Sequence, residues 1–186
     1  DASLQHFLPI KEKCEIDRCV FVQPTPYGWD NAYLLACKRT DPENYRAVVL
    51  VDPLLENASR DLQSLQEEGA DGLRINLHLQ PLSNWQTQSF HQLWKTSVIL
   101  NMPICLQLTP EYLDFVRELA EAYPLMIVVD HLGRPRMGCS QEDEDFLRLL
   151  KLADLPNVYI KLSGLNYFSE EKAPYRDTWA LMQTVK

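Results

Sequence analysis

Short apolar runs alternate with amphipathic ones along the chain. Six runs read as strands: residues 18–24, 45–53, 71–79, 102–108, 125–133 and 157–164. They are rich in Val, Ile and Leu, and Gly, Pro, Asn or Asp punctuates most of them. Helices fit between. Leu62 and Leu65 share one helical face, and Gly69 is a natural stop. Phe90, Leu93, Trp94 and Val98 form an apolar stripe. Thr109 and Pro110 read as an N-cap followed by Pro at the first helical position, with Leu113, Val116 and Ala120 on one face behind them. Ser140 and Asp143 resemble a capping box for a helix carrying Phe146, Leu149 and Leu150.

This alternation predicts an α/β fold with a parallel sheet and helical crossovers. The pattern inside the strands chooses the architecture. Leu73, Ile75, Leu77 and Leu79 point one way, and Arg74, Asn76 and His78 the other, because side chains alternate along a strand. Val158, Ile160 and Leu162 stand against Tyr159, Lys161 and Ser163 in the same manner. A doubly wound sheet has apolar helices on both faces. A barrel has them on one face and turns polar residues into its lumen. The expectation is a (β/α)8 barrel of the triosephosphate-isomerase type. That barrel has eight strands and about 250 residues, and 186 residues with six units fall short of it. Residues 1–186 are therefore expected to be a single barrel domain truncated at both ends, an expectation to which the lack of an initiator Met adds.

In parallel architectures the site lies beyond the C-terminal strand ends. Those ends are polar throughout: Gln23, Asp52, Asn76 with His78, Gln107, Asp130 with His131, and Lys161 with Ser163. His131 is the first candidate for chemistry, with Asp130 to orient its imidazole. Arg74 either pairs with an inner carboxylate such as Asp52 or holds a substrate carboxylate in its planar fork. Gln23, Asn76, Gln107, Lys161 and Ser163 are further candidate substrate contacts. The loops 24–31, 80–85 and 165–175 bring Tyr27, Trp29, Tyr167 and Phe168 within reach of a small organic ligand. Tyr27 is the aromatic assigned to binding. His6 and His91 fall in helical segments and read as surface residues, and Arg134 as solvent-facing.

Charge narrows the partners. The formal net charge is −8 and no Lys/Arg cluster occurs, which speaks against nucleic acid and anionic membranes. No apolar run approaches the ~20 residues of a membrane-spanning helix. The five cysteines are odd in number and include no C-x-x-C, which suits free thiols in a reducing cytoplasm.

Five segments together carry a family resemblance: "VFVQPTPYGWDNAYLLA", "YRAVVLVDP", "EEGADGLRINL", "VVDHLGRP" and "NVYIKLSG". In order and spacing they resemble the amidohydrolase-related barrel hydrolases, in the branch of 2-pyrone-4,6-dicarboxylate lactonases and sugar-lactone hydrolases. The resemblance implies that the six strands are the second to seventh of eight. It implies a lactone or cyclic-ester hydrolase acting on a small carboxylated or hydroxylated compound, with a related decarboxylase or an inactive fragment as alternatives. It carries His131 over as a catalytic residue, Arg74 as an anion contact and Gln107 as a strand-five residue. The family's His-x-His pair and its general-base Asp have no counterpart in this chain. The cofactor stays open. A divalent metal such as zinc is a candidate for the intact enzyme, and the neutral amide of Gln107 speaks against it. An oligomer is compatible with all of this.

Overall fold

A computed structural model describes residues 3–185. Its centre is a curled sheet of six parallel strands: β1 (Cys19–Val22), β2 (Tyr45–Leu50), β3 (Gly72–Asn76), β4 (Ile104–Gln107), β5 (Ile127–Val129) and β6 (Val158–Ile160). Each strand pairs with its neighbours in sequence, in the order β1-β2-β3-β4-β5-β6. The expected half-open barrel with helical crossovers is what forms.

The helices are α1 (Leu4–Lys13), α2 (Ala32–Arg39), α3 (Ala58–Glu67), α4 (Gln88–Ile99), α5 (Leu113–Ala122), α6 (Glu144–Leu150) and α7 (Trp179–Val185). The Thr87 side chain accepts a hydrogen bond from Phe90 N and opens α4. Gly69, at φ +107, follows the end of α3. Two caps differ from expectation. The Thr109 hydroxyl is buried with no hydrogen-bond partner among the described residues and only precedes a short 3-10 turn. The N-cap residue of α6 is Asp143; its carboxylate turns back to accept from Ser140 N at 2.6 Å, so the helix begins three residues later than a Ser140 cap would place it.

The two sheet faces differ as the alternation requires. Val49, Leu73, Ile75, Ile104, Leu106, Ile127 and Val129 point outward into the helical layer and are buried. The other face carries Arg74, Cys105, Val128 and Tyr159 in register, and Tyr159 is exposed there. Helices thus cover one face, which is barrel logic.

The strands stop earlier than their apolar alternation suggests. The chain leaves β3 at Asn76 (φ −99°, ψ 81°) and turns through Leu77–Leu79. Leu77 is buried, while Leu79 is exposed on the rim. After β6, Leu162 is likewise exposed. No helix among the described residues is long and apolar enough to cross a membrane. All five cysteines are free thiols.

Candidate functional site

The sheet register brings together residues that are far apart in sequence. Arg74 on β3 lies beside Cys105 on β4, and Asn76 beside Gln107. The Arg74 guanidinium spreads across this corner. Its Nε donates to Asn76 Oδ1 at 2.9 Å, and one terminal nitrogen donates to Gln107 Oε1. The same nitrogen lies 3.5 Å from Asp130 Oδ2. Arg74 therefore pairs with Asp130 at the end of β5 and not with Asp52. Its other terminal nitrogen, Nη1, has no partner among the described residues.

Asp130 is a buried carboxylate. Lys161 Nζ donates to its Oδ1, while Oδ2 accepts no hydrogen bond from the described residues. A buried charge needs such partners. Two cations stand against one acid here, so the cluster holds one positive charge in excess.

His131 sits next to it but not on it. Its Nδ1 is 2.9 Å from Ser163 Oγ. The sequence reading gives the orienting role to Asp130. In the structure Ser163 makes that hydrogen bond, because both cations already engage Asp130 and the chain turns sharply at His131. His131, Leu132, Gly133 and Arg134 have φ of 54°, 52°, 71° and 49°. This left-handed turn seats Leu132 in the core and swings the imidazole toward β6. Burial holds the His131 pKa below its ordinary value; Asp130 opposes that, and Lys161, Arg74 and Arg134 add to it. The ring edge meets Tyr167 at 5.3 Å, and the Arg134 guanidinium covers that phenol ring at 4.9 Å.

The remaining candidates divide. Asn76, Gln107, Lys161 and Ser163 join the cluster. Gln23 does not: it is buried and donates to the Asp30 carbonyl, which pins loop 24–31. Tyr27 also stands apart. It lines an apolar groove of about 590 Å³ along the free edge of β1, together with Phe7, Val20 and Tyr33. Trp85 and Phe168 are buried and so do not cover the site. Trp29 is exposed and forms the rim of a pocket of about 150 Å³ that reaches Arg74 and Asn76.

Sequence reading placed His78 at a strand end without its partner and missed the roles of Cys105 and Asn31. His78 Nδ1 donates to the Gln107 carbonyl at 3.3 Å, and burial lowers its pKa. Cys105 lies under the cluster, where burial raises its thiol pKa. Asn31 bonds the Leu50 N–H and C=O with its amide and ties loop 24–31 to β2. Only the polar character of Asn31 next to an apolar run signalled it.

A divalent metal does not fit these residues. No three His, Cys, Asp or Glu side chains among the described residues come together as a metal-binding group. The acid beside His131 is committed to two cations, and the amide of Gln107 to Arg74.

Comparison with known proteins bears on the family and the fold. The sequence model of a family described as amidohydrolase matches residues 1–186. A 4-sulfomuconolactone hydrolase of Rhizobium radiobacter is 28% identical, over 95% of this chain and 59% of its own length. A 2-pyrone-4,6-dicarboxylate hydrolase of Comamonas testosteroni is 25% identical, over 95% of this chain and 60% of its own. Among solved structures, a putative 2-pyrone-4,6-dicarboxylic acid hydrolase from Pseudomonas putida superimposes with a TM-score of 0.82 at 27% identity, covering 98% of this chain and 66% of that one. The chain thus spans about 60% of the length of the curated relatives it matches. With its family match, half-barrel and polar strand ends in agreement, the chain belongs to the amidohydrolase family.

Proposed function

We propose that this chain carries the anion-holding and carbonyl-polarising part of a lactone hydrolase, within one barrel domain. The substrate is a small cyclic ester bearing a carboxylate or hydroxyls. The observation that carries the reading is the charge of the cluster: Arg74 and Lys161 face a single buried acid, Asp130, and Arg74 Nη1 has no partner among the described residues. An anionic group of the substrate completes that cluster, with the guanidinium fork supplying direction. The names of the relatives, hydrolases of a sulfomuconolactone and of a pyrone dicarboxylate, support the substrate class.

His131 then acts on the ester carbonyl. When the Ser163 hydroxyl donates to Nδ1, the ring proton resides on Nε2. That N–H then donates to the carbonyl oxygen as negative charge develops on it. Water attacks the carbonyl carbon and the ring C–O bond breaks, giving a ring-opened hydroxy acid. Asp130, shared between two cations, positions Arg74 and Lys161 and is not assigned as the base that activates the water. The Lys161 ammonium, paired with Asp130, is poorly placed as a Schiff-base nucleophile. We place the activity in the cytoplasm, on the strength of five unpaired thiols.

The test is turnover of carboxylated lactones by the full-length natural protein and its His131→Asn variant. Asn tolerates the left-handed backbone at this position, so the fold is kept while the imidazole is lost. kcat/KM should fall about 100-fold or more. Unchanged turnover would remove His131 from the mechanism, and released carbon dioxide in place of a ring-opened acid would make the protein a decarboxylase.

A further inference from the structure

The His131 ring lies in a hollow where another residue has no side chain. An ideal Cβ built on Gly164 would lie 2.6 Å from both Cγ and Nδ1 of His131, and 2.8 Å from its Cβ. Gly164 adopts φ +67°, a left-handed conformation that glycine enters without steric cost. It follows Ser163, which bonds the ring, and it opens the 3-10 turn Leu165–Tyr167, whose Tyr167 meets the ring edge. One short segment after β6 therefore gives the imidazole a hydrogen-bond partner, a space and an aromatic wall. We propose that Gly164 is a positioning residue for His131, keeping open the only seat in which the ring both reaches Ser163 and presents Nε2 to the site.

The ring has no easy retreat. Its backbone belongs to the left-handed turn, and that turn is fastened on every side. Leu132 N donates to the Lys161 carbonyl at 3.2 Å, Gly133 N to Asp130 O at 3.0 Å, and Arg134 N to His131 O at 2.8 Å. Leu132 is buried in the core. A Cβ at Gly133 would already touch Leu149, Leu113 and Leu108 at 3.4–3.7 Å, so the turn cannot sink. A methyl group at position 164 must push the imidazole out of the hollow by rotation about its side-chain bonds. Rotation breaks the bond to Ser163, frees the ring to change tautomer and exposes it to water. The charged groups around it are Asp130, Lys161, Arg74 and Arg134. Leaving the hollow removes the burial that lowers the ring's pKa, so its titration should move up toward the ordinary 6.5.

The activity arm of the test rests on the lactonase reading, while the spectroscopic arm does not. In the full-length protein, the ring nitrogens of His131 are followed by 15N-edited NMR against pH, with His131→Asn assigning the signal. Gly164→Ala should raise the His131 midpoint, alter the Nδ1/Nε2 tautomer pattern, lower kcat on a carboxylated lactone at least tenfold and leave KM within twofold. An unchanged titration and tautomer pattern in a folded Gly164→Ala protein would overturn the proposal, whatever happens to kcat. If His131→Asn keeps full turnover, the lactonase role of His131 fails, and the NMR result alone decides for Gly164. If Gly164→Ala does not fold, the double variant Gly164→Ala/His131→Gly settles the matter. Recovery of folding on removal of the ring supports the clash, and no recovery overturns it.

Discussion

Lys161, just past the end of β6, closes on the Asp130 carboxylate at the end of β5, whose side chain is 1% exposed. The pair ties the last two strands together at the mouth of the site. Removing one member of a buried pair leaves the other charged and unsolvated. Lys161→Met should destabilise the protein by about 2–4 kcal/mol in a urea titration, since Arg74 remains as a second cation at 3.5 Å. Asp130→Asn combined with Lys161→Met should cost less than the sum of the single changes. Additive costs would show that the contact contributes nothing.

Arg74 makes two different demands on its fork. Arg74→Lys keeps the charge but cannot reach Asn76 and Gln107 at once. KM for a carboxylated lactone should rise about tenfold or more, the effect of losing roughly 1.5–3 kcal/mol of charged hydrogen bonding. A lactone without the carboxylate should be much less affected. Equal losses for the two substrates would make Arg74 a purely structural ion-pair partner.

His131 also links stability to pH. The unfolded imidazole takes up a proton near 6.5, and the folded one only at lower pH. Below 6.5 the unfolded state thus binds more protons, and stability is lost as the pH drops until the folded ring is protonated as well. Chemical denaturation between pH 7 and pH 5 should show this slope, and His131→Asn should reduce it, leaving the share due to His78, whose pKa burial also lowers. A variant with the wild-type slope would place the effect elsewhere.

The cysteines should separate by reactivity, because the thiolate is the nucleophile. Cys14 is exposed, whereas Cys105 and Cys139 are buried. Burial raises the Cys105 pKa, and burial with the nearby Asp143 pushes Cys139 up to about 11. Iodoacetamide at pH 8 should therefore label Cys14 well before either of them, as read by peptide mass spectrometry. Early labelling of Cys105 would mean that the floor of the site opens readily.

Both ends of the sheet carry unpaired edges. Among the described residues β1 pairs only with β2, and β6 only with β5. Apolar grooves of about 590 and 370 Å³ run along these edges, and Val20 is 60% exposed on β1. Exposed strand edges template further pairing. The 186-residue chain expressed alone should elute from a sizing column as more than a monomer, and Val20→Lys should shift it toward the monomer. A monodisperse wild-type monomer at high concentration would show that these edges are not adhesive.

The architecture was legible because two periodicities are written into local sequence. Leu73 and Ile75 alternate with Arg74 and Asn76, and the structure puts the first pair under helices and the second in the lumen. Strand ends were less legible, since Leu77 and Leu79 continue the alternation although the chain has turned at Asn76. Polar strand ends marked several of the residues that the structure brings together, but partners depend on register. Nothing local says that Asp130 takes Lys161, or that Ser163 takes His131. Gly133 and Pro135 favour a turn here but do not set its hand; two bulky residues, His131 and Leu132, entering left-handed space is a tertiary outcome. Phe168 shows the same limit, being core where an aromatic loop suggested a cover.

The strictly sequential strand order has a consequence for how the protein is made. Each strand meets a neighbour already synthesised, so the sheet can grow in the direction of translation without rethreading. The site cannot. Arg74 finds Gln107 33 residues later, and Asp130 waits another 31 for Lys161. At 5–20 residues per second the second interval alone is roughly 2–6 s. During it, the nascent chain holds a carboxylate whose second cation does not yet exist, which leaves the half-built cluster solvated and the β5 edge open to the next unit.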